Sequence, residues 1–161
     1  MRWFLVVAGL LAAVGFACKG SGSGGSGDTP ASQLMELINQ ERANQGAQQL
    51  REASGLSAES QWWANEHTKG PWFNWHDRQV EDPNYQDSMA AAIGQTTVTA
   101  CDQVGLVSTT ASNAQLAFNE LMSSYSATLM DPNWEMAGIG FTKFMNNNQP
   151  YFVWIVDLVD P

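Results

Sequence analysis

The stretch Ala114–Phe141, AQLAFNELMSSYSATLMDPNWEMAGIGF, decides the fold. It predicts an amphipathic helix, a short turn around Asp131-Pro132-Asn133, and a strand that carries two glycines. Ala114, Ala117, Phe118, Leu121 and Tyr125 are spaced i, i+3, i+4, i+7 and i+11, which is one helical face. Beyond the turn, Ala137, Ile139 and Phe141 alternate with Met136, Gly138 and Gly140, the period of a strand. Glycine weakens a strand unless another element must approach its backbone. Two glycines on one face therefore predict a helix or a site pressed against that face.

The end of the chain sets the number of layers. Phe152, Val153, Trp154, Ile155 and Val156 are apolar without alternation, the pattern of a strand buried on both faces. Helices must then cover both sides of the sheet, which gives an α+β fold, a three-layer α-β-α sandwich. A first helix is expected to start at Thr29-Pro30, with threonine as N-cap and proline at the first helical position, and to stop at Gly46. A second helix is expected after Ser57, with Glu59 in its first turn and Leu56, Trp63 and Ala64 on its apolar face. Residues 78–88 and 105–112 read as polar loops.

Composition points to one domain outside the cell. The chain has 161 residues, with seven Trp, seven Phe and seven Met, enough large apolar groups for a core without staples. Seven Lys plus Arg stand against sixteen Asp plus Glu, a formal net charge of −9. Nucleic acid and anionic lipid surfaces both need basic patches, so neither is an expected partner. At the N-terminus, Arg2 precedes an apolar run from Trp3 to Phe16, the pattern of a signal peptide over residues 1–17 and too short for a membrane span. Cys18 follows, and then a Gly/Ser-rich tether that runs to about residue 30. The folded domain is expected over residues 31–161.

Gly15-Phe16-Ala17-Cys18 resembles an irregular bacterial lipobox. That resemblance implies lipidation of Cys18 and a cell-envelope lipoprotein, held to the membrane through its lipid anchor alone. Gly15 and Ala17 equally suit ordinary cleavage after Ala17 and free secretion. The two cysteines follow the same fork. With Cys18 lipidated, Cys101 is a small, partly buried hydrophobe. Without lipidation, a Cys18–Cys101 disulfide is open to the chain.

Several segments together resemble the CAP superfamily (SCP or PR-1-like), the domain of cysteine-rich secretory proteins, antigen 5 and pathogenesis-related 1 proteins. Bacterial members carry S-P-G-H-R-x-N-I-L-N-P, an aromatic residue and E-I-G-V-G. Here Leu129, Met130, Asp131, Pro132, Trp134, Gly138 and Gly140 keep that frame. Leu34, Leu37, Ile38, Arg42 and Gly46 match the opening helix, L-x-x-I-N-x-x-R-x-x-x-G. The segment LSAESQWWANEHTKGPWFNWHD matches the second helix and its aromatic turn, AIGQTT the G-E-N or G-Q-N segment, and YFVWIVDLV the closing strand. The resemblance spans about residues 31–158 and rests on the order and spacing of weak motifs. The poverty in cysteine is similar to bacterial members.

In this family a central cleft often carries two histidines and two acids and can hold a divalent metal such as zinc. The resemblance places His76 at the first histidine and Glu120 at the helix acid. Gln95 stands where the first acid would be, and Tyr125 replaces the second histidine. A tight zinc site wants three or four His, Cys or carboxylate ligands, so no cofactor is expected beyond a weakly held divalent metal. Each residue also has a structural reading: His76 within the cluster of Trp72, Phe73 and Trp75, Glu120 as a surface acid, Tyr125 as core, and His67 at a helix C-terminus.

Two functions follow. The first is a binding or interaction module for a small apolar ligand or an extracellular protein, the ligand class being what the resemblance implies. The alternative is a peptidase-like hydrolase in which His76 is the base, Glu120 orients it, and Ser123, Ser124 or Ser126 is the nucleophile. The sequence carries no HExxH, CxxC, Walker or GxSxG motif.

Overall fold

The computed structural model describes residues 28–69 and 77–161. The signal segment, Cys18 and most of the tether lie outside the described residues, and so do Trp72, Phe73, Trp75 and His76. The elements follow in the order α1 (Pro30–Asn44), β1 (Arg51–Glu52), α2 (Ser54–Glu66), α3 (Arg78–Glu81), α4 (Tyr85–Ala92), β2 (Ala100–Ser108), α5 (Ala114–Leu129), β3 (Met136–Asn146) and β4 (Gln149–Asp160).

The sheet order is β1-β3-β4-β2. β1 runs parallel to β3, and the longer pairs are antiparallel. β4 lies between β3 and β2 and is buried from Val153 to Val159. Its even-numbered residues Trp154, Val156 and Leu158 join Ala137 and Ile139 of β3 against α1 and α5. Its odd-numbered residues face the opposite way, toward α2 and α4: Val153 and Ile155 pack with Ala64, and Val159 with Leu56 and Met89. This is the α-β-α sandwich expected from the unalternating strand.

The paired glycines mark a close helix contact. A Cβ on Gly138 would lie 2.1 Å from the Leu56 carbonyl carbon, and one on Gly140 would lie 2.2 Å from the Ser60 carbonyl oxygen. The α2 backbone therefore rests directly on β3, which only glycine permits. α1 starts as expected. The Thr29 hydroxyl accepts from the Ser32 amide at 3.1 Å, and the Ser32 hydroxyl accepts from the Thr29 amide at 3.1 Å. Gly46, at φ +76°, ends the helix in the left-handed region.

Three expectations need correction. α2 begins at Ser54 rather than after Ser57, and its N-cap, Ala53, has no capping side chain. Packing fixes this start instead: a Cβ on Gly55 would lie 1.9 Å from the carbonyl oxygen of Ala92 at the end of α4. Residues 78–88 are not a loop but hold α3 and the first half of α4. Asp77 caps α3 by accepting from the Gln79 amide at 2.9 Å, and α4 buries Tyr85, Met89 and Ala90. The strand β2 runs through Gly105 to Ser108, in register with Ile155 to Phe152 of β4. Its polar and small residues pair with a buried neighbour, which overrides their weak strand preference.

Candidate functional site

Glu120 projects from α5 onto the end of β2. Its Oε1 accepts from the Thr110 hydroxyl at 2.6 Å and from the Ser108 hydroxyl at 3.1 Å. The Ser108 oxygen in turn accepts from the amides of Thr110 and Ala111, each at 3.1 Å. The carboxylate thus pins α5 to the turn that leaves the sheet. Tyr125, five residues on, is half-buried and packs with the core shared by α1 and α5. Five residues turn an α-helix by roughly 140° beyond a full turn, so the two side chains leave the helix in different directions. At Tyr125 the backbone departs from helical geometry (φ −130°, ψ 22°) and kinks α5. Ser123, Ser124 and Ser126 are exposed, and the Ser123 hydroxyl donates to the Glu120 carbonyl oxygen at 3.0 Å.

Gln95 does not join this group. It is exposed and follows the turn that ends α4, where its amide donates to the Ala90 carbonyl oxygen at 2.9 Å. That turn leads into the start of β2, whereas Glu120 sits at its end; the strand between them spans about 26 Å at its usual rise. α4 and α5 also cover opposite faces of the sheet. The structure thus places Gln95 ahead of β2 and Glu120 at its far end. His76 lies outside the described residues. Among those residues, no group of three or more His, Cys, Asp or Glu is placed to hold a metal ion. His67 is the C-cap of α2, with Nδ1 3.0 Å from the Trp63 carbonyl oxygen and its ring edge-on to the Trp63 indole.

The most concentrated polar chemistry lies around Asp157, a residue sequence reasoning passed over. Asp157 is fully buried on the α2–α4 side of β4. Its Oδ2 is 2.6 Å from Ser60 Oγ of α2. Its Oδ1 accepts from Gln103 Nε2 of β2 at 2.6 Å and from the Tyr85 hydroxyl of α4 at 2.9 Å. Burial pushes the carboxyl above the ordinary aspartate range, against the lowering pull of the Ser60, Gln103 and Tyr85 hydrogen bonds and the Arg78 charge. Burial and the neighbouring Asp157 also push the Tyr85 hydroxyl up. The nearby Arg78 side chain is 4% exposed. It pairs with Glu59 at 2.7 Å and Asp82 at 3.1 Å, and its guanidinium lies over the rings of Trp62 and Tyr85. The available signal was one acid inside an otherwise apolar, two-faced strand, because such an acid must be bonded or neutral.

No family model matches the sequence, and no curated protein matches it. Among solved structures, a cysteine-rich secretory protein from Staphylococcus aureus superposes with a TM-score of 0.50 over 82% of this chain. The chain has the CAP fold. Identity to that protein is 14%, and the chain spans 39% of its length. The protein MpPR-1i aligns with a TM-score of 0.49 and 14% identity, over 81% of this chain and 85% of its own. The CAP fold was expected from the order of motifs. Among the described residues, no helix is long and apolar enough to cross a membrane.

Proposed function

We propose that this CAP-fold chain is an exported binding or interaction module rather than a hydrolase. The observation that carries the reading is the state of Glu120. Its carboxylate oxygen is taken by two hydroxyls that fasten α5 to the sheet, which is the work of a brace. Two contiguous grooves on the outer face of α1 offer surface for binding, about 430 and 330 Å³ in volume and sharing Glu36 and Gln40. Asn39, Asn44 and Gln49 line one of them, and Gln33, Asn113 and Gln115 the other. Side-chain amides both donate and accept, which suits a polar partner such as an extracellular peptide segment. A small apolar ligand near the aromatic turn is the other occupant the resemblance suggests.

Export in this proposal runs through the signal segment 1–17, with the domain then tethered through lipidated Cys18 or released. Native mass spectrometry of the full chain, with and without zinc, tests the binding reading. The expected result is a co-purified ligand or partner mass and no stoichiometric zinc. A peptide-hydrolysing rate that Glu120→Gln abolishes while the fold stays intact would overturn it in favour of the hydrolase.

A further inference from the structure

We infer that Asp157 carries a proton in the folded chain at neutral pH and acts as a pH-dependent latch that holds α2 and α4 to the sheet. The Ser60 hydroxyl has one proton, yet its oxygen is 2.9 Å from the Leu56 carbonyl oxygen and 2.6 Å from Asp157 Oδ2. The Tyr85 hydroxyl also has one, yet it sits 3.0 Å from the Asp102 carbonyl oxygen and 2.9 Å from Asp157 Oδ1. Two hydroxyl protons thus face four acceptor contacts. A proton on Oδ2 resolves the shorter contact: Asp157 donates to Ser60, and Ser60 donates to Leu56. Gln103 Nε2 supplies Oδ1 with a donor of its own at 2.6 Å.

The charges around the group favour the same state. α2 presents Glu59, already paired with Arg78. α3 presents Arg78, the cation facing Asp157, which is shared between Glu59 and Asp82. α4 presents Tyr85, β2 presents Cys101 and Asp102, and β3 places Gly138 opposite. A negative charge at Asp157 would therefore meet no uncommitted cation among the described residues. Desolvation of so deeply buried a charge outweighs the pull of the Ser60, Gln103 and Tyr85 donors, and it is relieved by neutralisation or by water. Water reaches this one by parting the helices from the sheet, so loss of the proton loosens the joint between α2, α4 and β4.

The sign follows from the two proton affinities. The folded carboxyl is raised above its ordinary range, and in the unfolded chain it titrates at about 3.9. Between those two values the folded chain holds the extra proton. This contribution to stability is therefore full at low pH, falls as pH rises through the window, and levels off above the folded value.

The test compares urea unfolding of the full chain and of Asp157→Asn from about pH 4.5 to about pH 7.5. The asparagine oxygen keeps the bonds from Tyr85 and Gln103, and its amide donates to Ser60, so the variant mimics the protonated acid. The folding constant of the wild type, divided by that of the variant, is expected to drop as pH rises, by up to about tenfold per pH unit between the unfolded and folded values. A ratio that stays level across the range overturns the latch. If the variant fails to fold, carbon NMR of the aspartate carboxyls in the wild type decides. An Asp157 signal that stays in its protonated position at neutral pH supports the proposal. One that titrates with the exposed aspartates below about pH 5 overturns it.

Discussion

Arg42 Nη1 donates to the carbonyl oxygen of Leu129 at 2.6 Å, joining the opening helix to the last residue of α5. The same guanidinium donates to Asp131 at 2.9 Å, Trp134 at 3.1 Å and Gln48 at 2.7 Å, in each case to the main-chain oxygen. Arg42 is fully buried, and burial lowers its proton affinity against the opposing pull of Asp131. The side chain thus caps the C-terminus of α5 and shapes the Asp-Pro-Asn-Trp turn that aims the chain into β3. Arg42→Lys keeps a cation but loses the planar fork, so a loss of about 2–3 kcal/mol is expected. Arg42→Met removes the donor that these carbonyls share and is expected to cost at least ~3 kcal/mol. Urea unfolding measures both; a loss below about 1 kcal/mol for Met would contradict the bracing role.

Gly138 and Gly140 set how closely α2 can lie on the sheet. A Cβ at either position would fall inside the α2 backbone, at 2.1 Å and 2.2 Å. Backbone cannot swing aside as a long side chain can. Gly140→Ala is therefore expected to cost about 3 kcal/mol or more and to lower the melting temperature. Gly46→Ala meets open space and strains only its positive φ, so a loss of about 1 kcal/mol is expected. Equal losses at the two positions would be incompatible with this packing.

Glu120 holds two hydroxyls at the end of β2. Glu120→Ala removes the acceptor and should cost about 1–2 kcal/mol. Glu120→Gln keeps a carbonyl oxygen for the same donors and should cost less than about 1 kcal/mol. Thermal melts of the pair measure this order. Reversal of it, with Gln worse than Ala, would show that the carboxylate charge matters for something other than these bonds.

Cys101 has its thiol pushed up to about 11, chiefly by burial. Thiolate is the reactive form. Near pH 8 the folded chain should therefore alkylate at Cys101 roughly 100-fold more slowly than the urea-unfolded chain. The folded rate should climb with pH until it levels near that raised value. Peptide mapping after timed alkylation separates Cys101 from Cys18. Rapid labelling of Cys101 in the folded chain at neutral pH would contradict the burial described for it.

Much of the scaffold was legible because it is written locally. The face of α5 from Ala114 to Tyr125, the cap at Thr29, the stop at Gly46 and the paired glycines each follow from a few neighbouring residues. The start of α2 was less legible because no capping side chain marks it; contact between Gly55 and Ala92 sets it. The polar segment before Met89 concealed α3 and α4 because Tyr85 and Arg78 are buried through partners distant in sequence. The candidate site was the least legible part. Motif spacing put Gln95 and Glu120 into one set, whereas in the fold one precedes β2 and the other sits at its end, on helices of opposite layers.

The sequence by itself determined the layer order and the covered faces of the sheet, because hydrophobic period and glycine placement act over one or two turns or along one strand. Only the tertiary structure decided what the polar side chains do. Arg42, Glu120 and Asp157 draw their roles from partners on other elements. A polar group takes its energy from the particular donors and acceptors that surround it once water is gone, and no local pattern in the chain specifies those.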